Sequence, residues 1–154
     1  IEYAAFFRSV KIFNYLQKNG AELTPSLWIY AIHGQNAEII HVLDENKVEP
    51  IDKSYKSCFY ESISCHNNDM ANYFISTFLT EEDENTPETA KQCFKYYNFS
   101  FTKKEFINES SFNELCQYDH YLFADSLLQK KDIDLNKIII YNQFALHNLK
   151  LRLS

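Results

Sequence analysis

Apolar residues along this chain fall into short blocks with helical spacing, and the blocks come in pairs. Ala4 and Ala5 precede a polar turn at Arg8-Ser9, after which Ile12, Phe13 and Leu16 line one side of a second helix. Leu27, Trp28, Ala31 and Ile32 open the next pair, and Ile39, Ile40 and Leu43 complete it beyond a turn near Gly34-Gln35-Asn36. The interval from Ile12 to Ile39 is the same as that from Leu16 to Leu43. Cys58, Phe59, Ser62 and Ile63, then Met70, Ala71 and Phe74, repeat the arrangement after a slightly longer interval. Leu115-Cys116 followed by Phe123, Ala124 and Leu127 gives it once more, across Asp119-His120. Self-similarity at a near-constant interval predicts stacked helical hairpins, because one hairpin alone cannot bury its apolar face. The expected units are about 1–23, 24–50, 54–80 and 108–136 of a single repeat domain, 1–154. The stretch 81–107 reads as an irregular helical insertion, and 138–153 as one more helix or a terminal cap.

Helix punctuation fits this division. Gly20 follows an apolar block as a C′ stop, where glycine adopts a positive φ without steric cost. Thr24-Pro25 and Thr86-Pro87 read as N-cap and N1, proline at N1 lacking only an N–H with no helical partner. The second pair predicts a helix from 86 to about 97. Thr102 with Glu105, and Ser111 with Glu114, have the form of capping boxes. The chain has only two Gly and three Pro, which favours helices joined by short polar loops over hairpins.

The segment FNYLQKNGAELTPSLWIYAIHGQNAEIIHVLDEN at 13–46, with ESISCHNNDMANYF at 61–74, KYYNFSF at 95–101 and DIDLN at 132–136, resembles divergent ankyrin repeats. In detail it is similar to an ankyrin-type domain of unknown function found in large families of protozoan parasites. The resemblance is strongest over residues 1–80. It departs from the ankyrin pattern in having no full TPLH and in lacking glycine after most outer helices. It implies an all-α, irregular ankyrin-like solenoid of three to four helix pairs, with few or no β-hairpins. It further implies an intracellular, cytoplasmic, non-enzymatic scaffold that binds a partner protein, without a cofactor. The expected state is a monomer or part of a longer repeat chain. Two other readings stand beside it: an exported effector that binds a host protein, and a small helical enzyme using Asp119 and His120.

Composition narrows the chemistry. With so little glycine, neither GxGxxG nor GxxxxGK[ST] can be formed, and GxSxG is absent. The net charge is −6 with Lys and Arg scattered, so a nucleic-acid partner is not expected. No apolar stretch is long enough to span a bilayer, so no membrane span is expected. Cys58, Cys65, Cys93 and Cys116 fit neither CxxC nor a dense disulfide framework and read as reduced. His33, His41, His66, His120 and His147 form no HExxH or paired Cys/His spacing, so no metal is expected. Asp119-His120 coincides with the Gly-His turn of an ankyrin repeat, which favours a structural histidine over an acid–base pair.

A binding face is the better-placed candidate. If Leu27, Trp28, Ala31 and Ile32 face the core, Ile29, Tyr30 and His33 are left on the other side of that helix. The equivalent positions are Phe6 and Phe7 in the first unit, Tyr60, Glu61 and Ser64 in the third, and Glu114, Gln117 and Tyr118 in the last. Aromatic residues with a polar rim are what the centre of a protein interface tends to contain.

Overall fold

A computed structural model describes residues 1–129, whose regular elements are all helical, with no strand among them. The DIDLN segment and the helix expected at 138–153 lie outside the described residues. The chain divides into two compact units, the first ending at Glu84 and the second beginning at Asn85.

In the first unit the helices are α1 (Glu2–Phe6), α2 (Val10–Lys18), α3 (Leu27–His33), α4 (Ala37–Glu45), α5 (Lys56–Ser64), α6 (Asn68–Phe78) and α7 (Glu81–Glu84). α1 packs on α3 and α3 on α5, while α2, α4 and α6 each pack on the helix before them. The three first-of-pair helices run parallel. Ser26, just before α3, donates a 2.6 Å bond to Glu2 at the start of α1. At the other end Arg8, beyond α1, donates to the Gly34 carbonyl beyond α3. Trp28 at the start of α3 meets Tyr55, just before α5, with ring centroids 5.4 Å apart.

Most of the predicted core blocks are buried, while Leu16, Cys116 and Phe123 are only half-buried. Leu27, Trp28, Ala31, Ile32, Ile39, Leu43, Cys58, Phe59, Ile63, Ala71 and Phe74 have no exposed surface, and Phe13, Ile40 and Ser62 join them. Trp28 anchors this core. It sits among Tyr55, Phe74 and Phe78, and its indole N–H donates 2.7 Å to the Val48 carbonyl. Buried aromatic rings of this kind contribute both area and edge-to-face contact. Ile12 departs from expectation: it is 55% exposed, although its register equivalent Ile39 is buried. The first pair also exposes Tyr3, Phe7 and Tyr15.

Each first-of-pair helix ends in the same turn. Its left-handed residue is Arg8, Gln35, His66 or Asp119 in the four helix pairs, and Tyr97 makes the same turn after the helix Pro87–Lys95, which leads into a 3-10 turn. In each case the next residue's N–H bonds the carbonyl five positions back: Ser9 to Ala4, Asn36 to Ala31, Asn67 to Ser62, Asn98 to Cys93 and His120 to Leu115. The left-handed residue's own N–H reaches three positions back, from Arg8 to Ala5 through Asp119 to Cys116. This pair of bonds is a Schellman closure, which satisfies carbonyls the helix would otherwise leave open. The residue that completes it then starts the next helix. Asn36 and Asn67 do so with their side chains, accepting from the Ile39 and Met70 N–H groups at 3.3 Å. The turn at Tyr97-Asn98 falls inside the stretch 81–107 read from sequence as an insertion.

The second unit contains α8 (Pro87–Lys95), three single 3-10 turns (Phe99–Phe101, Lys104–Phe106, Glu109–Ser111), α9 (Phe112–Gln117) and α10 (Tyr121–Gln129). Thr86 caps α8 as predicted, accepting from the Thr89 N–H at 3.1 Å, with Pro87 in the first turn. The other start signals behave differently. Thr24 is not the cap of α3, whose first residue is Leu27. Its hydroxyl meets that of Ser26 instead, at 2.8 Å. Neither sequence-predicted capping box forms. The box is built by Asn108 and Ser111, and Ser111 is thereby taken up by the Asn108 backbone rather than by α9. The core holds Ala90, Phe94, Phe112, Leu115, Ala124 and Leu127.

Candidate functional site

The candidate site lies where α1, α3 and α5 end side by side. Phe6, His33 and Ser64 are the last residues of the three helices. The Phe6 and His33 rings are 5.7 Å apart, and Phe6 meets Phe7 edge-on at 5.1 Å. Phe6 and Phe7 are 40% and 68% exposed. Gly34 lets α1 and α3 approach this closely, since a Cβ there would lie 2.3 Å from the Ala5 carbonyl oxygen. The close approach, not a positive φ, is what requires glycine at this position; Gln35 carries the left-handed backbone.

On its other side His33 meets α5. His33 Nε2 is 2.8 Å from Glu61 Oε1, and Nδ1 is 3.4 Å from Cys65 Sγ. Glu61 and Cys65 are one turn apart on the same helix face, and their Oε1 and Sγ atoms are 3.8 Å apart. The Ser64 hydroxyl lies 2.8 Å from the Glu61 carbonyl and 3.0 Å from its Oε1, which steadies the carboxylate. Burial pushes the Cys65 thiol above its ordinary range; the Glu61 carboxylate adds to this and the Ser64 hydroxyl opposes it. The other three cysteines are free as well, and burial drives the Cys58 thiol up to about 12.

Thus Phe6, Phe7, His33, Glu61 and Ser64, assigned to one face from sequence, do come together. Ile29, Tyr30 and Tyr60 belong to α3 and α5 and are half-buried. Glu114, Gln117 and Tyr118 belong to the second unit, with Gln117 exposed and the other two half-buried. Cys65 was not among the residues expected at the site. It is far from His33 along the chain, and no local spacing pattern reports such a pairing.

Asp119-His120 closes the Schellman turn after α9. His120 is only 7% exposed, its Nε2 is 2.6 Å from the Phe94 carbonyl, and the rings of Tyr97, Phe99 and Phe94 surround it. Beside it the Tyr97 hydroxyl donates 2.5 Å to the Tyr118 carbonyl. A comparable bond occurs in the first unit, where Arg8 donates to Gly34: Arg8 and Tyr97 each reach a carbonyl just beyond the end of a later helix, Gly34 after α3 and Tyr118 after α9.

Among the described residues no helix is long and apolar enough to cross a membrane. In comparisons with known proteins, the chain matches no family model, no curated protein and no solved structure.

Proposed function

We propose that this chain is a non-enzymatic protein–protein interaction scaffold of a divergent ankyrin type. Its binding face is the row formed by Phe6, Phe7 and His33, flanked by Tyr30, Tyr60, Glu61 and Ser64. The observation that carries this reading is the exposed aromatic pair at the aligned ends of three parallel helices. An exposed apolar centre with a polar rim suits a protein surface better than a small molecule, which is usually enclosed in a concave pocket. The recurring turn supports a repeat architecture, and the parallel order of α1, α3 and α5 supports a solenoid-like stack. His120, held on a backbone carbonyl inside an aromatic cage, supports a structural histidine rather than an acid–base catalyst. Four free thiols favour a reducing, intracellular setting.

The test has two stages. Proteins captured from the source cell by the wild-type chain are identified, and the affinity of the strongest is then measured with purified components. Phe6→Ala/Phe7→Ala and Tyr30→Ala/Tyr60→Ala are expected to weaken it by about tenfold or more, as loss of aromatic anchors does. Unchanged affinity in both variants, with helicity retained, would show that the binding face lies elsewhere.

A further inference from the structure

The geometry points to a zinc-class metal site formed by His33, Glu61 and Cys65. This does not depend on the partner-binding reading. Each residue offers one ligand atom, an imidazole nitrogen, a carboxylate oxygen or a thiolate sulfur, and these atoms all lie within 4.8 Å of one another. Around a tetrahedral Zn²⁺, with sulfur about 2.3 Å and nitrogen or oxygen about 2.0 Å from the ion, neighbouring ligand atoms stand about 3.5 Å apart. Cys65 Sγ is 3.4 Å from His33 Nδ1 and 3.8 Å from Glu61 Oε1, so two edges of such a coordination shell are already near their required length.

The same distances argue against a nucleophilic triad. In a carboxylate–imidazole–thiol relay, the two ring nitrogens point to opposite sides, holding the carboxylate and sulfur far apart. Here those two atoms are neighbours, and the three groups converge instead of forming a line.

The donor set selects the ion. Sulfur and nitrogen ligands disfavour Mg²⁺ and Ca²⁺, which take oxygen, and favour Zn²⁺ or Co²⁺. A divalent cation would also offset the charge gathered when a thiolate and a carboxylate meet beside a neutral imidazole. The scaffold is suitable: Glu61 and Cys65 are one turn apart at the end of α5, His33 closes from the end of α3, and the Ser64 hydroxyl bonds the same Glu61 Oε1 that faces the site, fixing the carboxylate's orientation. Three protein ligands with the His33 side chain 40% exposed leave a fourth position for water.

The experiment is a titration of the untagged, reduced full chain with Co²⁺ and Zn²⁺. One equivalent of Co²⁺ should produce a thiolate-to-metal charge-transfer band, and Zn²⁺ should displace it. Cys65→Ser should abolish the band. His33→Ala and Glu61→Gln should weaken binding by at least the roughly 10–100-fold that loss of a supporting partner costs at metal sites. Cys116→Ser and His41→Ala should bind as wild type, and circular dichroism should show every variant folded. No saturable one-equivalent site, or a band that survives Cys65→Ser and disappears with Cys116→Ser, overturns the assignment.

Discussion

Gly34 shows how much a single residue can decide in this chain. Its backbone is ordinary helix-end geometry, but the last carbonyls of α1 press against its Cα side. In Gly34→Ala the new Cβ would meet the Ala5 oxygen at 2.3 Å and the Phe6 oxygen at 2.9 Å. Both are backbone atoms and cannot swing aside. The two helices would have to separate, disturbing the Arg8 bond to Gly34 and the 2.6 Å bond from Arg8 to Gln35 Oε1. The variant is therefore expected to lose about 1–3 kcal/mol, the range of overpacked cores, measured by chemical denaturation. A wild-type midpoint would mean that α1 is not docked this way. The sequence showed a glycine in a turn; it did not show that the constraint comes from α1, in the preceding helix pair.

Among elements, the repeating unit is a turn as much as a helix pair. Glycine is the usual residue for a left-handed helix end, and none of the five turns at Arg8, Gln35, His66, Tyr97 and Asp119 uses it. Reading glycine as the signal therefore leaves the turn at Tyr97-Asn98 invisible, although the two bonds from Asn98 and Tyr97 close it like the others. The ends of α2 and α4 make a natural comparison. Gly20 and Lys47 have φ of 88° and 54° and close equivalent turns, with Ala21 bonding Leu16 and Val48 bonding Leu43. Left-handed backbone costs a non-glycine residue about 1–2 kcal/mol, part of which glycine returns through its freer unfolded chain. Lys47→Gly should then stabilise the protein by about 0.5–1 kcal/mol, and Gly20→Ala should destabilise it by about 1 kcal/mol. Thermal melts of the two variants would test this. Shifts in the same direction would rule out equivalence of the two turns.

For the whole molecule, the division after Glu84 has a direct consequence. The first unit contains its own core around Trp28, the single tryptophan of the chain, and closes on itself through a 2.8 Å ion pair between Lys56 and Asp83. That pair, with the Thr80 hydroxyl, holds the Asp83 carboxyl down at about 2. A compact unit with a private core is expected to fold alone. A fragment ending at Glu84 should unfold in one cooperative step and keep the blue-shifted emission of a buried indole. A red-shifted emission or a broad, sloping melt would show that the first unit needs the second. Sequence periodicity places the first three helix pairs, because each core block is local. It does not find the boundary, because compactness is a property of contacts between blocks.

The sequence by itself determined the six paired helices of the first unit and most of the residues they bury. Apolar spacing alone specified Leu27, Trp28, Ala31 and Ile32, and likewise Cys58, Phe59, Ser62 and Ile63, because helical periodicity is written within a few residues. The exposed Ile12, the capping partners and the convergence of His33, Glu61 and Cys65 were decided only by tertiary structure. Each depends on what a neighbouring element does. An imidazole and a thiol from different helix pairs become partners only when two parallel helices end at the same edge.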